Sequence, residues 1–125
     1  MALFLSDAWL ADLEAAARVA SPPADLTLVV QEVVLHDRGD ETAYAIRIGG
    51  GKVEVERGRA ADADVTFTQD RATATAIASG ELSAQSAFMA GRLRMGGDLR
   101  AVLERAQDLT VLDDVFASAR ATTDW

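Results

Sequence analysis

The chain contains no cysteine, which excludes a disulfide framework, a thiolate metal site and a cysteine nucleophile together. Histidine occurs once, as His36, and aromatic residues make up only 6% of the chain. Basic residues are outnumbered, 12 Lys and Arg against 20 Asp and Glu, for a net charge of −8. That balance argues against a phosphate backbone as partner, so no nucleic acid is expected. It argues equally against docking on anionic lipid through a polybasic patch. No apolar run approaches the ~20 residues that span a bilayer, so no stable membrane insertion is expected. The opening MALFLSDAWL is too short and too soon acidic for a secretory leader. The expectation is a soluble, cytoplasmic chain whose 125 residues form one domain with a single core, spanning 1–125.

Half of the residues are apolar, and alanine supplies much of that half. Small side chains leave room between elements, so an Ala-rich helical layer can line a cavity; close helix packing is the other reading. Ser6 is placed to cap a first helix, with Asp7 in its first turn and Leu5 and Leu10 as a hydrophobic staple. Trp9, Leu13, Ala16, Ala17 and Ala20 share one face of it, and Pro22-Pro23 end it.

Leu26 to Leu35 is β-branched and nearly continuously apolar, broken by Gln31 and Glu32, which predicts a central strand. After the turn Asp37-Arg38-Gly39-Asp40, Tyr44, Ile46 and Ile48 alternate with Ala45 and Arg47. Gly49-Gly50-Gly51 then joins this strand to another in which Val53 and Val55 alternate with charged residues. Val65 and Phe67 mark a fourth strand. Asp70 is set to cap a helix through Ser79, with Gly80 just past its end, and Ser83 to start another that runs until Gly91. Leu93 and Met95 form a short strand. Asp98 caps a helix carrying Leu99, Val102, Leu103 and Ala106 at spacings of three and four. A last helix, Val111 to Ala121, aligns Leu112, Val115, Phe116 and Ala119.

The order of helix, three-strand meander, crossover strand, helices, strand and terminal helices is an α+β pattern. Within it, the stretch ADVTFTQDRATATAIASGELSAQSAFMAGRLRMGGDL, from Ala63 to Leu99, resembles the sterol carrier protein 2 family of small lipid-binding domains. ADVTFT, SGELSAQSAFMAGRLR and the GD-L that follows carry the likeness, in that order and spacing, and it extends from about Leu26 to Leu109. The resemblance implies a bacterial-type, stand-alone domain with a five-stranded mixed β-sheet and helices covering one face. It also implies a hydrophobic cavity between the sheet and the C-terminal helices.

The polar side chains offer little chemistry. His36 lies at a strand end with no nucleophile motif nearby. Tyr44 sits on the apolar parity of its strand, and an isomerase-type site would need a carboxylate partner that no spacing singles out. Asp37, Asp40 and Glu41 lack the rest of a calcium loop, and Gly96-Gly97-Asp98 reads as a helix cap. No enzymatic activity, metal or cofactor is expected.

The apolar positions remain. On the strength of the resemblance, the expected ligand-lining residues are Ile77, Phe88, Met89, Met95 and Leu99. Val102, Leu103, Leu112, Val115 and Phe116 complete the set, with Leu103 the sharpest expectation and the last helix as the closing element. Met89 and Met95 suit a pocket tolerant of ligand shape, and Arg92 or Arg94 is positioned to meet a head-group carboxylate. The expected function is non-covalent binding and carriage of a hydrophobic small molecule, a fatty acid, acyl chain or sterol-like lipid. Two alternatives stay open: an interaction module with a collapsed cavity, forming a homodimer or meeting a partner enzyme, and an isomerase-type small-molecule enzyme.

Overall fold

The computed structural model describes residues 2–108 and 110–125. In chain order its elements are β1 (Ala2–Leu3), α1 (Asp7–Arg18), β2 (Leu28–Leu35), β3 (Glu41–Gly49), β4 (Lys52–Arg57) and β5 (Val65–Asp70). They continue as α2 (Arg71–Ala78), α3 (Ala84–Met89), β6 (Leu93–Gly97), α4 (Leu99–Glu104), α5 (Thr110–Arg120) and β7 (Thr123–Asp124). Five strands make one mixed sheet in the order β4-β3-β2-β5-β6. The expected central strand is therefore central, antiparallel to β3 and parallel to β5.

Local chemistry accounts for most boundaries. The Ser6 hydroxyl accepts from the Trp9 N–H at 3.2 Å and opens α1, whose Trp9, Leu10, Leu13 and Ala17 are buried. Asp70, Ser83 and Asp98 cap α2, α3 and α4 in the same way, each oxygen satisfying one of the free N–H groups at a helix start. Gly50 and Gly51 both adopt positive φ in the β3–β4 turn, the geometry of a tight hairpin that other residues resist. His36 bridges the β2–β3 hairpin through its Nε2 to the Thr42 hydroxyl at 2.7 Å.

Leu28, Val30 and Val34 project from β2 into the core beneath the helices, together with Ile46 and Ile48 of β3. On the opposite face, the Gln31 side-chain oxygen Oε1 accepts from the Ala60 N–H at 2.6 Å and the Asp64 carboxylate from the Val29 N–H at 2.7 Å. The β4–β5 connection is thereby tied across that face. Three details differ from the expectation. Leu26 precedes the strand, its N–H bonded to the Pro23 carbonyl, because Pro22-Pro23 set a turn first. α4 stops at Glu104, short of Ala106. The pairing of β1 with β7, parallel and two residues long, leaves no pattern in the sequence. It seats Phe4 against Trp125, with ring centroids 5.0 Å apart. Among the described residues no helix is long and apolar enough to cross a membrane.

Candidate ligand cavity

The register of the sheet places four side chains in one row on its helix-covered face. Tyr44 of β3 lies opposite Glu32 of β2, Glu32 opposite Phe67 of β5, and Phe67 opposite Met95 of β6. Gln69 and Leu93 form the next rung. Over this floor stand Ala74, Ile77 and Ala78 of α2 and Asp113, Phe116 and Arg120 of α5, with Phe4 and Ala84 at the margins. Between floor and roof is a cavity of about 100 Å³. Alanine is the cause of the space: α2 turns Ala74 and Ala78 toward the sheet where larger side chains would meet Phe67 and Leu93.

The cavity is apolar except for Glu32 and Gln69 on its floor and Asp113 and Arg120 on α5. Glu32 stands in the central strand, and Gln69 Nε2 donates to its Oε2 at 2.7 Å. Burial pushes the Glu32 carboxyl from its usual 4.5 up to about 7, against the opposing pull of the Gln69 hydrogen bond, because an ion loses its hydration there. Burial and the neighbouring Glu32 raise the Tyr44 phenol well above its ordinary value. Tyr44 thus has a carboxyl as its cross-strand neighbour, which sequence spacing does not single out. Behind Tyr44 and Phe116 the Trp9 ring closes the cavity, 5.7 Å from one and 6.5 Å from the other. Its indole N–H is buried without a partner. Arg120, at the rim, donates from Nε to the Ala78 carbonyl at 2.6 Å, which fastens α5 to the C-terminus of α2.

Of the residues singled out from sequence, Ile77 and Phe116 border the cavity. Met95 continues the floor row beside Phe67. Val102 and Leu112 are partly buried against the core, and Val115 is inside it. The remaining four face outward: Phe88 is 47% exposed, Met89 79%, Leu99 36% and Leu103 76%. Leu103 is directed away because α4 packs through Ala101 and Val102 instead. Arg92 donates to the Thr73 hydroxyl at 3.2 Å, and Arg94 is exposed, opposite Thr68. Tyr44, Phe67 and Leu93 were placed on strands but not at the site, and sequence reasoning missed Phe4, Glu32, Gln69, Ala74, Ala78, Ala84, Asp113 and Arg120 as lining residues. Glu32 alone carried a signal, a carboxylate on the same alternation as Leu28, Val30 and Val34.

A five-stranded mixed sheet covered on one face by helices, with a small cavity between the layers, defines a small α+β domain. The chain belongs to the SCP-2 sterol transfer family, whose sequence model matches residues 13–109. The fold agrees with a crystal structure of sterol carrier protein 2 at a TM-score of 0.71 and 18% identity, covering 94% of this chain and 97% of that one. It also matches a conserved protein of Thermus thermophilus, described as possibly a sterol carrier protein, at a TM-score of 0.65 and 20% identity, over 98% of this chain and 91% of that one. Palmitated SCP2L2 from Aedes aegypti matches at 0.64 and 22% identity, over 85% of this chain and 94% of that one. No curated protein matches the sequence.

Proposed function

We propose that residues 1–125 act as one domain that binds a lipid-like molecule non-covalently between the sheet and helices α2 and α5. The observation that supports this reading is the cavity bordered by Tyr44, Phe67, Ile77, Leu93 and Phe116, in a fold shared with sterol carrier proteins. Burial supplies the driving force at about 0.8 kcal/mol for each enclosed CH₂. Lost translational freedom offsets at least ~4 kcal/mol of it, so affinity stays modest and the ligand exchanges.

The cavity of about 100 Å³ is smaller than the ~300–1,000 Å³ of ordinary small-molecule sites. A whole acyl chain or sterol-like body therefore requires the roof to move outward. The elements least bound to the rest are α3, with Ala87 as its buried residue, and α4, with none. Carriage by this domain works by opening at that end and closing over the ligand.

Native mass spectrometry of the purified protein tests the reading directly, since a co-purified apolar passenger is the expected result. Ala74→Leu should fill the cavity from α2, leave the protein folded and abolish uptake of a fluorescent apolar probe. A parent protein that carries and takes up nothing overturns the proposal. The outward-facing Phe88, Met89, Leu99 and Leu103 favour a second reading, association with another copy or a partner; a dimer in the same spectrum, without a passenger, selects it.

A further inference from the structure

The middle of the cavity is built for something other than a hydrocarbon. A carboxyl in the central strand of a sheet, under a helical roof, is costly to keep dry. The backbone ladders of β2 with β3 and β5 do not require its side chain. Gln69, 6% exposed, holds one Glu32 oxygen at 2.7 Å, which fixes the carboxyl and leaves the other oxygen toward the cavity that Glu32 borders. Trp9 Nε1 is the buried side-chain atom left without a partner, so that second oxygen is not sealed away. The Tyr44 hydroxyl group stands on the neighbouring strand, directly across from Glu32 in register, and borders the same space.

We propose that this cavity takes ligands whose apolar body ends in an uncharged oxygen, a hydroxyl or a ketone carbonyl, seated head-first between Glu32 and Tyr44, and that it rejects fatty-acid anions. The inference rests on the ligand-binding reading above and narrows it. A hydroxyl can donate to Glu32 and accept from Tyr44; a ketone oxygen can accept from Tyr44 and from protonated Glu32. A carboxylate in the same place would face Glu32, and the exposed Asp113 of α5 at the edge of the cavity adds like charge. The cation at the rim, Arg120, keeps its charge but is held at the end of α2, beside Gly80, by its Nε–H on the Ala78 carbonyl. Arg57, the next residue in the row beyond Tyr44, lies against Asp7 and Glu14 instead. Of the elements above Glu32, α2 carries one further cation, Arg71, which lies over the Phe4 ring and donates to the Phe4 carbonyl; toward the cavity α2 contributes Ala74, Ile77 and Ala78, and α3 its first residue, Ala84.

The titration of Glu32 gives the selection a pH signature. Its carboxyl, held up to about 7 by burial, donates to a ligand oxygen only below that point. A ketone, which cannot donate, loses this hydrogen bond as pH rises, whereas an alcohol turns and donates to the carboxylate.

The test compares dodecanol, methyl decyl ketone and dodecanoate as competitors of a fluorescent apolar probe, on the full chain, at about pH 5.5 and about pH 8.5, either side of the Glu32 titration. At the higher pH the alcohol should bind at least about tenfold tighter than the carboxylate, the scale of one lost charged contact. The ketone should weaken at least about fivefold between the two pH values, a fraction of one hydrogen bond. Glu32→Gln should flatten that pH dependence and shrink the gap between alcohol and carboxylate, and Tyr44→Phe should weaken alcohol and ketone while sparing the carboxylate. The measurements on the parent protein stand even if a variant fails to fold. Equal or tighter binding of dodecanoate overturns the inference and shows tail-first binding, with the carrier function intact. If none of the three displaces the probe and the probe itself does not bind, the carrier function falls, and the inference with it.

Discussion

Two parts of the molecule are packed to different standards. Where α1 lies on β4 and the sheet, Trp9, Leu13, Ile46 and Ile48 are each at most 1% exposed. Between Gly80 and Asp108, by contrast, Phe88, Met89, Leu99 and Leu103 all show themselves to solvent, and α4 buries no residue at all. Both regions are comparably apolar in sequence. The difference lies in what they pack against: α1 closes on the sheet, whereas the segment between Gly80 and Asp108 gives the cavity Ala84 and Leu93 and leaves its larger apolar side chains outside. On the function proposed above, one side stays solid as a template and the other has little to lose by opening.

The largest effect expected from that contrast is on the solid side. Leu13, fully buried on the inner face of α1, should cost about 2–5 kcal/mol when truncated to Ala, because the rigid sheet cannot collapse into the space. Urea denaturation measures it. A loss comparable to that of a surface substitution would mean that α1 is no firmer than the roof, and the contrast would disappear.

The next effect is electrostatic and sits at the boundary between the two parts. Glu32 titrates at about 7 in the folded protein against 4.5 ordinarily, so between those values the native state holds a proton that the unfolded chain has released. Stability contributed by this group is therefore greatest at low pH and falls as pH rises through the window, levelling off above about 7. A difference of that size corresponds to a few kcal/mol, about 3 at most. Glu32→Gln removes the linkage, so the variant should gain on the parent steadily as pH rises. Unfolding curves recorded across the window that stay parallel for the two proteins would place Glu32 in ordinary solvent.

A smaller effect is expected where the roof is hinged to the sheet. Gly97 has φ +91°, and a Cβ there would run into the Asp64 carbonyl oxygen, which itself accepts from the Asp98 N–H at 2.7 Å. Gly97→Ala should cost about 1–3 kcal/mol from the backbone conformation alone. If the substitution instead leaves thermal stability unchanged, the β6–α4 junction is not fixed to β5.

How much of this was legible depended on distance along the chain. Caps, glycine turns and the alternation of Tyr44, Ile46 and Ile48 are local, and the structure follows them. The central place of Leu28–Leu35 followed from its apolar run, and the lipid-binding family from the order of motifs between Ala63 and Leu99. Helical spacing gave the stripe of Leu99, Val102, Leu103 and Ala106, but a stripe says which residues share a face and not what that face meets. Because α4 ends at Glu104, too short to lie across the sheet, only part of the stripe reaches the core. The β1–β7 pair was invisible because two-residue strands from opposite ends of the chain have no period to detect. Glu32 was visible as an interruption of a strand, and its parity pointed inward; what it faces came only from the register with Tyr44 and Phe67.

The smallest expected change is the most discriminating for the roof. Leu103 is 76% exposed, so Leu103→Ala removes little buried surface and should alter stability by less than about 0.5 kcal/mol. If α4 is a cover that opens for the ligand, amide hydrogen exchange along Leu99–Glu104 should be fast in the free protein, while Leu28–Leu35 stays protected to the level of global unfolding. Binding should then slow exchange in α4 and leave β2 unchanged, since the strand is already held from both sides. α5 divides the two behaviours: Val115 and Ala119 are buried against α1, so it should follow the sheet and not α4. Equal protection of α4 and β2 in the free protein removes the idea of a moving cover. Protection of α4 that does not respond to a bound ligand removes its link to the cavity, and leaves Leu103 and Met89 as a surface for another protein.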